Sequence, residues 1–143
     1  MYQSILFPTD GSELSVTAAT SVIELAQALD ARLIVWCGAE VYTLPLAVQA
    51  AVDQNLLIAE ALNEAQANVD AIVALAAAAG IDCQGATAVT DSPWEGIIRA
   101  ADDHACDLIF MPSHGRRGFA KFVLGSQTQK VLAHSGLPVL VYR

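Results

Sequence analysis

A chain of 143 residues, 55% hydrophobic and 15% charged, has the length of one domain and enough apolar material for a large core, which excludes a disordered protein. Its net charge of −8 argues against a nucleic-acid or anionic membrane surface as the main partner. Cys37, Cys83 and Cys106 are isolated, with no C-x-x-C, so neither a disulfide framework nor a zinc site is indicated. The longest apolar run, 71–80, is too short to span a bilayer, and the start has no basic leader, so a cytoplasmic protein with a single domain over 1–143 is expected.

In chain order, residues 4–8 form a short apolar run ended by Pro8 and the turn-forming residues 9–12, the pattern of a buried strand. Ser12 is placed to cap a helix over 13–29, where Val16, Ala19, Val22, Ile23, Ala26 and Leu29 recur at helical spacing. Residues 33–37 read as a second strand, and 38–48 as a connection without a period. A long Ala-rich helix is predicted over 49–79, with Leu56, Ala59, Leu62, Ala65, Val69, Ile72 and Leu75 on one face and Gly80 as the residue that stops it. A weaker third strand follows at 82–89. Ser92-Pro-Trp-Glu95 reads as a capping box, with Pro at the first helical position, opening a helix to about 104. A fourth strand is predicted at 108–111, a helix from a second capping box, Ser126-Gln-Thr-Gln129, to about 135, and a last strand at 139–142. Strand–helix alternation without internal duplication predicts a doubly wound α/β sheet. Ligands of such sheets bind outside the carboxyl ends of the strands, where the strand order reverses.

The segment from Pro112 to Ser126 carries the chemistry. It holds Gly115, Gly118 and Gly125 and delivers Gly125-Ser126 to a helix start. Unpaired first-turn N–H groups and the helix dipole there favour an anion, and glycine lets backbone approach it. Arg116, Arg117, Lys121 and Lys130 are four of the seven Lys and Arg residues, and no acid lies between 116 and 130. A basic cluster in an acidic chain suggests a small anion held locally; a solvated basic loop is the plainer alternative. Neither a Walker loop nor a dinucleotide G-x-G-x-x-G is present.

Pro8-Thr-Asp-Gly-Ser12, Asp107-Leu-Ile-Phe-Met111, Ser113-His-Gly115, nine residues to Gly125-Ser126, and the ending Pro138-Val-Leu-Val together resemble the universal stress protein family over the whole length. The resemblance implies a flavodoxin-like, five-stranded parallel sheet in the order 3-2-1-4-5. It also implies a cytoplasmic homodimer joined through the last strand (Val139, Leu140, Val141, Tyr142). The family's G-x-x-G-(nine residues)-G-[ST] pattern marks members that bind nucleotide, here ATP or AMP, with or without Mg2+. Carried over by position, Asp10 would contact adenine, with Pro8 and Thr9 beside it, and Met111 would line the base or ribose. Gly115, Gly125, Ser126 and Gln127 would offer backbone N–H groups to the phosphates, and Ser126 its hydroxyl; Arg116 is a further phosphate candidate. Two positions depart from the pattern. Pro112 replaces its first glycine and removes an N–H donor. Gly38, after Cys37, stands where the family usually has Val beside adenine, which would thin one wall of the base pocket.

The implied function is a nucleotide-binding, ligand-gated stress regulator without a dedicated enzymatic activity. Slow ATP hydrolysis or self-phosphorylation of a loop Ser or Thr, with Mg2+ near Asp10 or Asp91, is the enzymatic alternative, and a ligand-free dimeric interaction module is the third. Local roles compete with each functional one: Asp10 as a turn cap, Ser126 as a helix cap, His114 as a loop-bonding residue rather than a base. Asp91 reads first as a turn former before Ser92-Pro93. Trp36 and Trp94 read as core or interface residues.

Overall fold

Every residue of the first strand, β1 (Ser4–Pro8), is buried, and the rest of the chain is laid against it on both sides and both faces. The computed structural model describes residues 1–114 and 124–143. After β1 come α1 (Glu13–Leu29), β2 (Arg32–Glu40), α2 (Leu46–Gln49), α3 (Gln54–Ala78), β3 (Cys83–Thr90), α4 (Pro93–Asp103), β4 (Leu108–Pro112), α5 (Ser126–His134) and β5 (Val139–Tyr142). The strands pair in parallel in the order β3-β2-β1-β4-β5, the doubly wound order expected.

Alternation along the strands divides the core. Ile5, Phe7, Leu33 and Val35 point to the face covered by α1 and α3, joined there by Val22, Val69 and Ile72. Leu6, Ile34, Trp36, Ile109 and Met111 point to the face covered by α4 and α5, against Ile97 and Val131. At roughly 1.5–3 kcal/mol for each fully buried large apolar side chain, these two layers supply most of the drive to fold.

Register creates an opening. β1 stays paired with β2 as far as Pro8–Trp36, and β4 with β5 as far as Pro112–Tyr142. Between β1 and β4, however, pairing is confined to Ile5–Leu108 and Leu6–Ile109. The two central strands therefore part before their carboxyl ends, at the point where the strand order reverses. Pro112 fits this gap. The N–H groups of Ile109 and Ser113 both donate toward β5, to Pro138 and Tyr142, so by alternation the Pro112 nitrogen faces the parted side, where no ladder bond is lost.

Several local expectations need correction. β2 runs beyond residue 37 to Glu40, because Ala39 is buried and β3 pairs with this extension through Glu40–Thr90. The connection after it contains the one-turn α2. The long helix starts at Gln54 and not at 49: Asp53 caps it, its carboxylate accepting from the Asn55 and Leu56 N–H groups at 3.0 and 3.4 Å. Its buried stripe is Ala65, Val69, Ile72 and Ala76, while Leu56 and Leu75, like Val16 on α1, are exposed. Gly80 ends α3 as expected, at φ +76° with Ile81 N–H donating back to the Ala76 carbonyl. Neither of the two expected capping boxes has its Ser side-chain bond. Ser92 is held by the Thr90 hydroxyl instead, and α5 begins one residue earlier than expected, with Gly125 as its cap and Ser126 already helical.

Candidate functional site

The parting of β1 and β4 opens into a cavity of about 500 Å3 at the carboxyl ends of the strands. Pro8, Thr9, Asp10, Gly38, Met111, Pro112, Gly125, Ser126 and Gln127 all line it. Pro8 and Gly125, 117 positions apart in sequence, are thus brought to one crevice. Gly115 and Arg116 lie outside the described residues, as do Arg117, Gly118 and Lys121.

One wall is the turn after β1. Thr9 N–H donates to the Trp36 carbonyl at 2.8 Å, fixing the turn to β2. The Thr9 hydroxyl accepts from Gly11 N–H and from the Ser15 hydroxyl, and an Asp10 carboxylate oxygen accepts from Ser12 N–H at 2.9 Å. Asp10 does cap its own turn, and the same bond fixes the position of its carboxylate at the cavity edge. Gly11 takes φ +76°, a conformation that side chains rarely adopt, and the Asn68 side chain of α3 comes within 2.5 Å of where a Cβ would stand, so both the turn and the close approach call for glycine.

The opposite wall is the end of β4 and the start of α5. Gly125 N–H donates to the Ser113 carbonyl at 2.7 Å, stitching helix to strand. This corrects one expectation: that N–H is already used inside the protein. Gly125 instead permits close approach, since a Cβ there would sit 3.1 Å from the His114 Cα. The Thr128 hydroxyl donates to the Pro112 carbonyl at 3.0 Å, from a buried position. Ser126, Gln127 and Thr128 occupy the first turn of α5, whose N–H groups have no carbonyl four residues back within the helix. The cavity lies against them. Gln127 contributes in a further way: its side-chain oxygen accepts from Trp94 N–H at 3.0 Å, capping α4 from across the crevice. His114 lines the cavity with Nδ1 3.2 Å from the Ser113 hydroxyl, a contact between chain neighbours that holds the ring to its own loop.

The remaining lining was not anticipated. Glu40 comes from the extension of β2 and Tyr42 from the connection just after it, with the Tyr42 hydroxyl donating to Glu40 at 2.9 Å. Ala61, Glu64, Ala65 and Asn68 come from α3, and Pro93 and Ile97 from α4. The α3 residues share one helical face at i, i+3, i+4 and i+7, and of the four the sequence pattern singles out only Ala65, as a core position. Trp36 reaches the cavity from a largely buried position in the second core layer. The Gly38 wall is not thin. The Trp36 ring tip and the Thr90 methyl group lie 2.9 and 2.8 Å from where a Gly38 Cβ would be, so they occupy the place of the missing side chain. Among the described residues, no group of His, Cys, Asp and Glu is arranged to hold a metal ion, and no helix is long and apolar enough to cross a membrane. None of the three cysteines is in a disulfide, and burial followed by the Asp82 charge pushes the Cys83 thiol up to about 11.

Comparison with known proteins agrees with this architecture. A universal stress protein of Thermus aquaticus is 33% identical over the full length of both chains. The solved structure of MJ0577 from Methanocaldococcus jannaschii, 28% identical, superposes with a TM-score of 0.83 and covers 99% of this chain and 95% of its own. A universal stress protein solved in complex with cAMP, 24% identical, matches with a TM-score of 0.68 over 99% of this chain and 97% of its own. The model of the family described as "Universal stress protein family" matches residues 1–143, and the chain belongs to that family.

Proposed function

We propose that the cavity binds an adenine nucleotide, AMP or ATP, and that occupancy gates a regulatory role of the protein as a homodimer. One observation carries the reading: the crevice where β1 and β4 part is lined on one side by a fixed carboxylate, Asp10, and on the other by the first turn of α5. That pairs a donor-seeking group suited to an adenine amine with an anion-seeking helix terminus suited to phosphate. Pro8, Thr9, Gly38 and Met111 stand at the base or ribose end. Ser126 and Gln127 offer N–H groups at the phosphate end, Gly125 and Pro112 supply close backbone, and Gly115 and Arg116 are proposed to join from the loop. The relative solved with cAMP shares the fold at 24% identity and so supports the architecture, not the ligand. A cavity of about 500 Å3 is of the size that encloses small ligands and cofactors.

Three or four charge-assisted hydrogen bonds, at roughly 1.5–3 kcal/mol each, are sufficient for micromolar affinity, about 8 kcal/mol. Isothermal titration with ATP, ADP, AMP and cAMP should give a Kd in that range for at least one; no heat with any of them rejects nucleotide binding. The dimer would form through β5, an edge strand whose Leu140 is 39% exposed. Sedimentation at the monomer mass, with and without AMP, would reject that part. A cytoplasmic location accords with three cysteines that form no disulfide.

A further inference from the structure

A second cavity, of about 330 Å3, lies between β3 and α4, and Trp36 lines both it and the first. Trp36 is 4% exposed, and its side chain shares a face of β2 with Gly38, two residues further on. Its ring tip is confined by two glycines. A Cβ on Gly38 would stand 2.9 Å from Trp36 Cη2, and a Cβ on Gly96 of α4 would stand 2.8 and 2.9 Å from Cη2 and Cζ2. Gly38 lines only the first cavity and Gly96 only the second. Gly96 is therefore not a surface accident in α4, where glycine costs about 1 kcal/mol relative to alanine. It makes room for the indole.

We propose that Trp36 is the wall the nucleotide base meets, and that Gly96, outside the cavity, is a positioning residue that sets how far the ring intrudes. The proposal rests on the nucleotide reading above and names the part of the site that fixes the size of base admitted. A methyl group added at residue 96 cannot be accommodated by rotating a flexible chain end, because the neighbour is a packed ring; the indole must move away from α4, toward the first cavity. An indole edge beside the base also adds the aromatic contact that Gly38 itself lacks.

The experiment has two arms, both read with AMP. With Trp94→Phe, which leaves Trp36 as the sole indole, saturating AMP should change the intensity or position of the emission. Separately, Gly96→Ala should weaken AMP binding about tenfold by calorimetry, and the same substitution in a Trp36→Leu background should cost less than twofold. A merely structural Gly96 would impose the same cost in both backgrounds. AMP binding that leaves the Trp36 emission unaltered, or a Gly96→Ala cost that persists without the indole, overturns the proposal while nucleotide binding stands. Wild-type protein that binds none of AMP, ADP, ATP and cAMP removes the nucleotide reading and this inference together; if ATP binds and AMP does not, ATP replaces AMP in both arms. Should Gly96→Ala fail to fold, the emission arm alone decides.

Discussion

The two ends of the sheet are built to opposite rules. At the amino-terminal end, polar groups are matched inside the protein. Asp107 accepts from the Gln3 and Ser4 N–H groups at 2.8 and 3.0 Å while its own N–H donates to the Ser4 carbonyl, and Arg32 donates to the Ser4 hydroxyl and the His104 carbonyl. At the carboxyl end the central strands part, and Asp10, Glu64 and the first turn of α5 surround open volume. The contrast separates what holds the fold from what faces a ligand. A substitution at one end is expected to change stability and leave affinity alone, and at the other end the reverse.

The largest effect expected is at the closed end. Asp107→Ala removes the acceptor of two backbone N–H groups and should destabilise the protein by about 2 kcal/mol, read as a lower urea midpoint with an unchanged slope. AMP affinity should stay within twofold of wild type. An equal fall in affinity would mean that the two ends are coupled, and the division just drawn would fail.

How far each end could be read from the sequence differs for the same reason. The strands, their order and the residues Pro8 to Asp10, Met111 and Gly125 to Gln127 follow from local signals: apolar runs, turn residues and the motif spacing that resembles one family. The site's other wall does not. Trp94 N–H is capped by Gln127, 33 residues away, and Ser92 is held by Thr90 two residues before it, so the apparent Ser92-Pro-Trp-Glu95 box gives way to one tertiary bond and one local turn. Ser126 looks like a cap by residue type, yet the Gly125–Ser113 bond pulls the helix start back by one residue. The reach of Trp36 over Gly38 depends on Gly96 and Thr90, brought in by β3 and α4, and no spacing within β2 contains it. Asp53 was the readable signal that was missed, an N-cap residue type directly before the α3 pattern.

Ser126→Ala sharpens the same division with a smaller effect. Because its hydroxyl makes no capping bond, its loss should change stability by less than about 0.5 kcal/mol, where a true N-cap serine would cost about 1 kcal/mol. AMP affinity should fall about tenfold, the equivalent of about 1.4 kcal/mol or one charge-assisted hydrogen bond. Thermal unfolding and calorimetry on the same sample check both halves. A large stability loss with intact binding would return Ser126 to a capping role.

The smallest effect expected is a gain, again at the closed end. Three helices finish with a residue in the left-handed region, followed by a bond back to the last turn: α1 with Asp30 at φ 53°, α3 with Gly80 at φ 76° and α4 with Ala105 at φ 50°. The bonds match: Ala31 N–H to the Ala26 carbonyl, Ile81 to Ala76, and Cys106 to Ala101 at 2.8 Å. Only α3 uses glycine. A β-carbon in this conformation costs about 1–2 kcal/mol, and the Ala105 side chain is exposed, so it recovers little by packing. Glycine relieves the crowding but gives the unfolded chain more freedom, which takes back about 0.4–1 kcal/mol. Ala105→Gly should therefore stabilise the protein by about 0.5–1 kcal/mol, raising the urea midpoint without altering AMP affinity, because the turn it relaxes leads into the amino-terminal end of β4, away from the cavity. A destabilised variant would mean that the turn is held by more than its backbone bonds.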